Sequence, residues 1–143
     1  MPGLIVSLTK TFLEAHIQEF ILIDRATIGE LWGESNFLAD FPGKWDVSCI
    51  ALKDNRLTGF LIGSEKKGGY HIHRLAVDTA LQRQGYGRQL IYFLIEKAKK
   101  KKVTLLTLKV SVTNKGAIDF YSGMDFIISR QDGVNFQMEL NLI

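Results

Sequence analysis

The chain has little to tie it down covalently or to break it up: one cysteine, two prolines and no long apolar run. Cys49, set inside the apolar run Val47 to Leu52, has no partner for a disulfide or for a thiolate metal cluster, so it reads as a small buried hydrophobe and no metal centre is expected. Runs such as Phe20 to Ile23 and Leu90 to Ile95 fall far short of the roughly 20 apolar residues that cross a bilayer. The N-terminus lacks the basic-then-apolar layout of a signal peptide, so a cytoplasmic location without a membrane partner is expected. No repeat, low-complexity tract or Pro/Ser-rich linker interrupts the sequence, and residues 1–143 read as one domain. With 46% hydrophobic and 23% charged residues, the chain is able to bury its own core. The net charge of +3 owes much to Lys97 and Lys99 to Lys102; that short cluster has no interleaved aromatics, so no nucleic-acid partner is expected.

The remaining punctuation divides the chain into short elements. Leu4 to Leu8 reads as a strand, and Thr11-Phe12-Leu13-Glu14 has the spacing of a capping box opening a helix with Ile17, Phe20 and Ile21 on one side. A second helical stretch is predicted from Thr27 to Trp32, then a looser turn from Ser35 to Phe41 closed by Pro42-Gly43. Val47 to Leu52 and Leu57 to Ile62 are apolar, β-branched or aromatic runs separated by Asp54-Asn55, the pattern of a hairpin. Gly68-Gly69 makes the next turn and Tyr70 to Val77 the next strand. The period then lengthens: Gly87 to Lys100 places Leu90, Phe93, Leu94 and Ala98 at helical spacing and ends in lysines that suit the negative end of the helix dipole. Thr104 to Val110 reads as a strand and Asn114 to Ser122 as a short helix; Phe126 to Ser129 and Val134 to Leu142 read as two last strands joined through Gln131-Asp132-Gly133. The order β-α-α-β-β-β-α-β-α-β-β predicts a mixed α/β sheet around one strand-helix-strand unit.

The chemistry is most legible between Tyr70 to Val77 and the long helix. Gly85 and Gly87 let backbone approach a ligand closely, and the start of the helix leaves several N–H groups without intrahelical partners. With Arg83 and Arg88 adding whole charges, the loop suits a diphosphate better than a single carboxylate, although a tight turn that merely needs two glycines has the same spacing. A Walker A loop would need Lys-Ser/Thr where Arg88-Gln89 stands. A dinucleotide fingerprint would need a third glycine and an acid after the next strand, and Lys109-Val110-Ser111 offers none.

The run Gln82-Arg83-Gln84-Gly85-Tyr86-Gly87 resembles the Gln/Arg-x-x-Gly-x-Gly/Ala signature of the GNAT superfamily of acyl-CoA-dependent N-acyltransferases. Leu108-Lys109-Val110, followed by Asn114, Ala117 and Phe120-Tyr121, resembles the second half of that family's cofactor site, and the element order matches from Leu4 to the C-terminus. One departure stands out: the family's Gly-Phe after the tyrosine is Asp125-Phe126 here, and either Asp125 or Gly123 must supply the left-handed cap. The resemblance implies an α/β (α+β) GNAT fold, a mixed and mostly antiparallel sheet of about seven strands flanked by about four helices and splayed between the fourth and fifth strands. It further implies acetyl-CoA as cosubstrate, with Leu75, Ala76 and Val77 offering backbone groups to the pantetheine arm and Arg83, Gln84, Gly85, Tyr86, Gly87 and Arg88 holding the pyrophosphate. Asn114 would bond the pantetheine or acetyl region, cap the short helix, or do both.

The reaction so implied is acetyl transfer from a thioester to an amine, which needs a neutral amine, a stabilised oxyanion and a proton for the thiolate. Tyr121 aligns with the family's tyrosine acid, and otherwise reads as an aromatic anchor for its helix. Strand alternation puts His71, His73, Leu75 and Val77 on one face and Ile72, Arg74 and Ala76 on the other, making His71, and then His73, candidate bases if they do not simply fill the sheet surface. Asp24, Glu34 and Asp40 are the runner-up bases or amine-binding carboxylates, and Trp32, Phe37, Phe41 and Trp45 are candidates for an acceptor wall. The acceptor is either a small-molecule amine or a protein N-terminus. The competing reading is a GNAT-fold module that binds acyl-CoA without turnover. Members of the family are often homodimers through their late strands, and nothing in Val134 to Ile143 decides that point.

Overall fold

The computed structural model describes residues 3–25 and 31–143. The elements in chain order are β1 (Leu4–Ser7), α1 (Lys10–Ala15), α2 (Ile17–Asp24), α3 (Glu34–Leu38), α4 (Lys44–Val47), β2 (Cys49–Lys53), β3 (Arg56–Lys66) and β4 (Gly69–Val77). A 3-10 turn (Thr79–Leu81) leads to α5 (Tyr86–Lys100), β5 (Leu105–Ser111), α6 (Lys115–Ser122), β6 (Ile127–Asp132) and β7 (Asn135–Asn141). All seven strands form one sheet in the order β1-β2-β3-β4-β5-β7-β6, antiparallel except for β4 against β5. The sheet separates two cores. Leu90, Ile91, Leu94 and Ala98 of α5 pack against Cys49, Ala51, Leu106 and Leu108 on one side, and Leu13, Phe20 and Phe37 pack against Ile50, Phe60 and Ile62 on the other. Cys49 is fully buried, and that burial pushes its thiol up to about 12, as expected of a small hydrophobe. No described helix is long and apolar enough to cross a membrane.

Local chemistry revises several expected boundaries. The cap of α1 is Thr9, whose extended backbone (φ −109°, ψ 155°) lets Oγ1 accept the Phe12 N–H at 3.1 Å, so Thr11 already lies inside the helix. The expected single helix breaks at His16, where φ −120° leaves the helical region. The predicted loose turn from Ser35 contains α3, and Val47 ends α4 instead of opening β2. The helix expected over Thr27 to Trp32 falls mainly outside the described residues, and Leu31 to Gly33 are not helical. β6 runs on to Asp132, so the last hairpin turns at Gly133-Val134. Six α-helices are thus described where about four are expected, because α3 and α4 are too short to show a 3.6-residue period.

Two irregularities shape the centre of the sheet. β4 pairs with β5 only through Tyr70, His71 and Ile72, opposite Leu106, Thr107 and Leu108, and beyond them the two strands part. β3 nevertheless stays paired with β4 as far as Val77, and β7 with β5 as far as Ser111. The parting begins at a β-bulge: Gly63 faces Ile72 and Ile62 faces Arg74, leaving His73 as the extra residue. A bulge bends and twists its strand, which turns β4 away from β5. Gly63 belongs to the bulge, since a Cβ there would lie 2.6 Å from Val47 Cγ1 and 2.9 Å from the His71 carbonyl oxygen.

The far wall of the gap is α6, and its end is fixed by a Schellman closure. Phe126 N–H donates to the Tyr121 carbonyl at 3.1 Å and Asp125 N–H to that of Ser122 at 3.0 Å, with the Tyr121 and Phe126 rings edge-to-face at 5.6 Å. The left-handed position is Asp125 (φ 74°), while Gly123 (φ −66°) stays right-handed. Asp tolerates this conformation less well than glycine. Asp125→Gly is therefore expected to raise stability by about 0.5–1 kcal/mol, read from urea midpoints at unchanged m-value.

Candidate active site

The gap between β4 and β5 opens into a cleft of about 1070 Å³ that runs from the start of α5 to the side of α6. Leu75, Ala76 and Val77 form one wall from the part of β4 that β5 no longer covers. After Val77 the chain is turned by Asp78, whose Oδ1 accepts the Ala80 N–H at 3.0 Å, and held back by Gln82 Nε2 donating to the Val77 carbonyl at 3.2 Å. Arg83 (φ 66°) and Gly85 (φ 91°) then take left-handed conformations that bring the start of α5 onto the cleft. No side chain caps this helix, so its first N–H groups are left for an anion, with Arg83 and Arg88 beside them in the cleft wall. A Cβ on Gly87 would point between Phe120 Cζ at 3.4 Å and Val77 Cγ2 at 3.9 Å, a gap the glycine keeps open. Gly85, Tyr86 and Gly87 all border the cleft, whereas Gln84 is exposed and does not.

Asn114 does what its position before a helix suggests: Oδ1 accepts the Ala117 N–H at 3.2 Å and caps α6. It also lines the cleft, and its amide NH2 remains for a ligand. Tyr121 lines the cleft from the same helix. Burial pushes its phenol up to about 12, the neighbouring Arg74 guanidinium pulling slightly the other way, so it is a neutral O–H at pH 7.

The histidines part company. The bulge reverses side-chain alternation after Ile72, so Ile72, Leu75 and Val77 all face the α5 core, and the expected placement of His71 and His73 on the Leu75 face is corrected. His71 is buried, 7% exposed, its Nδ1 is 2.7 Å from Thr107 Oγ1, and it does not line the cleft. Desolvation, with the charges of His73, Lys66 and Lys109 adding to it, lowers its pKa to about 4. His73 does reach the cleft, stacked at 4.3 Å on Phe41 with Nε2 2.8 Å from Ser64 Oγ. Burial first, then Lys66 and Lys44, lowers its pKa as well, so at neutral pH it is an uncharged proton acceptor.

Sequence reasoning missed what holds the acceptor end together. Arg74 Nε and Nη2 donate to Asp24 Oδ1 and Oδ2 at 2.6 and 2.9 Å, Trp32 N–H donates to Oδ2 at 2.8 Å, and the guanidinium lies 5.7 Å from the Trp32 ring centroid. Asp24 is fully buried in this pair, so it is neither a base nor an amine-binding carboxylate. The signal was present: Asp24 follows Ile17, Phe20 and Ile21 on the apolar face of α2, where a carboxylate needs a buried partner. Lys44 is buried, 2% exposed, donating to the Phe37 and Ala39 carbonyls and lying 4.9 Å from the Trp45 ring. Trp32 lines the cleft and Phe37 is core, while Glu34 and Asp40 are exposed and stand apart from the cleft.

The sheet is opened between its two parallel strands, and the uncapped start of a helix lies at the opening. The chain belongs to the acetyltransferase (GNAT) family, whose family model matches residues 11–126. It is 30% identical over 95 residues to the ribosomal protein bS18-alanine N-acetyltransferase of Escherichia coli K12, a match covering 66% of this chain and 64% of that relative's length. The crystal structure of the Escherichia coli ribosomal-protein alanine N-acetyltransferase superposes with TM-score 0.83 at 24% identity, covering 98% of this chain and 94% of that one. The PaiA N-acetyltransferase of Thermoplasma acidophilum, solved in complex with coenzyme A, superposes with TM-score 0.79 at 19% identity over 99% of both chains. These two likenesses establish the fold.

Two outcomes follow from the site's geometry. Gly85→Ala, forced to φ 91°, is expected to cost about 1–2 kcal/mol of stability and to weaken coenzyme A binding about tenfold, measured by calorimetric titration. His71 takes up its proton near 6.5 when unfolded and near 4 when folded, so its contribution is whole above about pH 6.5 and is lost as pH falls towards 4. The drop in urea midpoint between pH 7 and pH 5 should accordingly be smaller in His71→Gln.

Proposed function

We propose that this chain transfers the acetyl group of acetyl-CoA to a primary amine by direct attack in a ternary complex. The observation that carries the reading is the meeting, in one cleft, of β4's uncovered edge, the uncapped start of α5 with its two arginines, and the Tyr121 phenol. Backbone groups of Leu75 to Val77 hold the pantetheine arm as an added strand would be held, and the N–H groups around Gly85 to Arg88 bind the pyrophosphate. The Asn114 amide steadies the thioester end from the opposite wall.

In the transfer step the amine nitrogen forms a bond to the thioester carbon and the carbon–sulfur bond breaks. His73, neutral at pH 7, takes the proton the attacking amine loses. A backbone N–H of Leu75 to Val77 stabilises the oxyanion. The phenol of Tyr121 gives its proton to the departing thiolate and recovers one from solvent. The acceptor is read as the N-terminal amine of a peptide, which the named activity of the bS18-alanine relative supports. A cytoplasmic location accords with that acceptor.

The test is thiol release from acetyl-CoA against a panel of N-terminal peptides and small amines. Tyr121→Phe is expected to lower kcat by about 10²–10⁴-fold while coenzyme A affinity stays within twofold. Binding of acetyl-CoA with no amine accelerating thiol release would overturn the transfer reading in favour of a non-catalytic binding module.

A further inference from the structure

Every charged side chain bordering the cleft among the described residues is cationic: Arg74, Arg83, Arg88 and Lys109. Arg83 and Arg88 belong to the pyrophosphate end, and Arg74 is matched by Asp24. Lys109 is left over. It lies on β5 one residue beyond the last β4–β5 pair, where the strands part, and faces away from the core that Leu108 and Val110 enter. It is exposed, and no described carboxylate lies within ion-pair distance of it. Glu139, the acid on the neighbouring strand β7, pairs in register with Thr107 and accepts from Gln137 Nε2 at 3.0 Å; it does not border the cleft.

We infer that Lys109 is a specificity residue and that the acceptor carries a carboxylate close to the amine that is acetylated. This role for Lys109 rests on the proposed acetyl transfer. An amine arrives in water as a cation and must lose its charge before it attacks. With Arg83 and Arg88 given to the pyrophosphate and Arg74 matched by Asp24, the charge of Lys109 opposes polycations such as polyamines and aminoglycosides and rewards an acceptor whose own carboxylate meets its ammonium. The field is felt by other groups on the same face: Lys109 and Lys66 help hold His71 neutral, and Lys66 and Lys44 do so for His73. The carboxylate can be an acidic side chain near a peptide's N-terminus or the α-carboxylate of a free amino acid.

The test compares kcat/KM for thiol release with peptides identical except for Glu, Gln or Lys at the second residue, and for free amino acids against their α-carboxamides, at low and high salt. The expected result is about a tenfold preference for the Glu peptide over the Lys peptide, shrinking as salt screens it. Lys109→Glu should reverse the order and Lys109→Gln should flatten it, with coenzyme A affinity unchanged in both. A preference confined to free amino acids over their carboxamides would support the inference and assign the carboxylate to the acceptor's main chain. Equal rates for Glu, Gln and Lys peptides together with equal rates for amino acids and carboxamides, or a preference that survives Lys109→Glu, would overturn the inference while leaving acetyl transfer intact. If no acceptor stimulates release although acetyl-CoA binds, the transfer reading fails and the inference falls with it.

Discussion

Everything at the site depends on three residue pairs. β4 and β5 are hydrogen-bonded neighbours only from Tyr70 to Ile72, and each then follows its other partner, β3 or β7. Unpaired backbone inside a protein is costly, so two diverging strands need a reason to part and something to fill the gap. The reason here is the extra residue at His73, accommodated by the missing side chain of Gly63. On the proposed reading the pantetheine arm fills the gap, since the exposed strand edge offers the hydrogen bonds a neighbouring strand would take.

The same bulge distributes the chemistry. Before it, odd-numbered residues of β4 face the helices α1–α4; after it, even-numbered ones do, as buried Ala76 shows. His71, His73 and Arg74 are thereby gathered towards the acceptor side, while Leu75 and Val77 stay with the α5 core. Around them the acceptor wall is fastened by two basic side chains, the part-buried Arg74 and the buried Lys44, with different partners. The Arg74 fork grips the Asp24 carboxylate, and the Lys44 ammonium binds the carbonyls that end α3. Neither is a surface salt bridge that ions would screen.

Much of this was readable from sequence because it rests on local rules. The Asp54-Asn55 hairpin adopts the two positive φ angles, 53° and 63°, that such dipeptides tolerate, and Gly85 takes the left-handed turn its loop required. Strand order and the splay followed from the family resemblance. What escaped was whatever depends on register or on distant partners. A bulge leaves no mark in an apolar run, so a strict period of two put His71 in the wrong place. α3 and α4 hold five and four residues, too few for periodicity. Asp24 sits at a core position by spacing, yet its partner Arg74 is fifty residues away.

Helices α1–α4 cover only the first half of one sheet face. On the second half, the outward residues Thr107, Lys109, Ser111, Gln137 and Glu139 are polar, Leu105 and Ile127 share that face, and none belongs to either core. None of the helices α1–α4 packs on this half of the sheet among the described residues. On the proposed reading, the acceptor and the product cross a largely polar surface on which none of α1–α4 is packed.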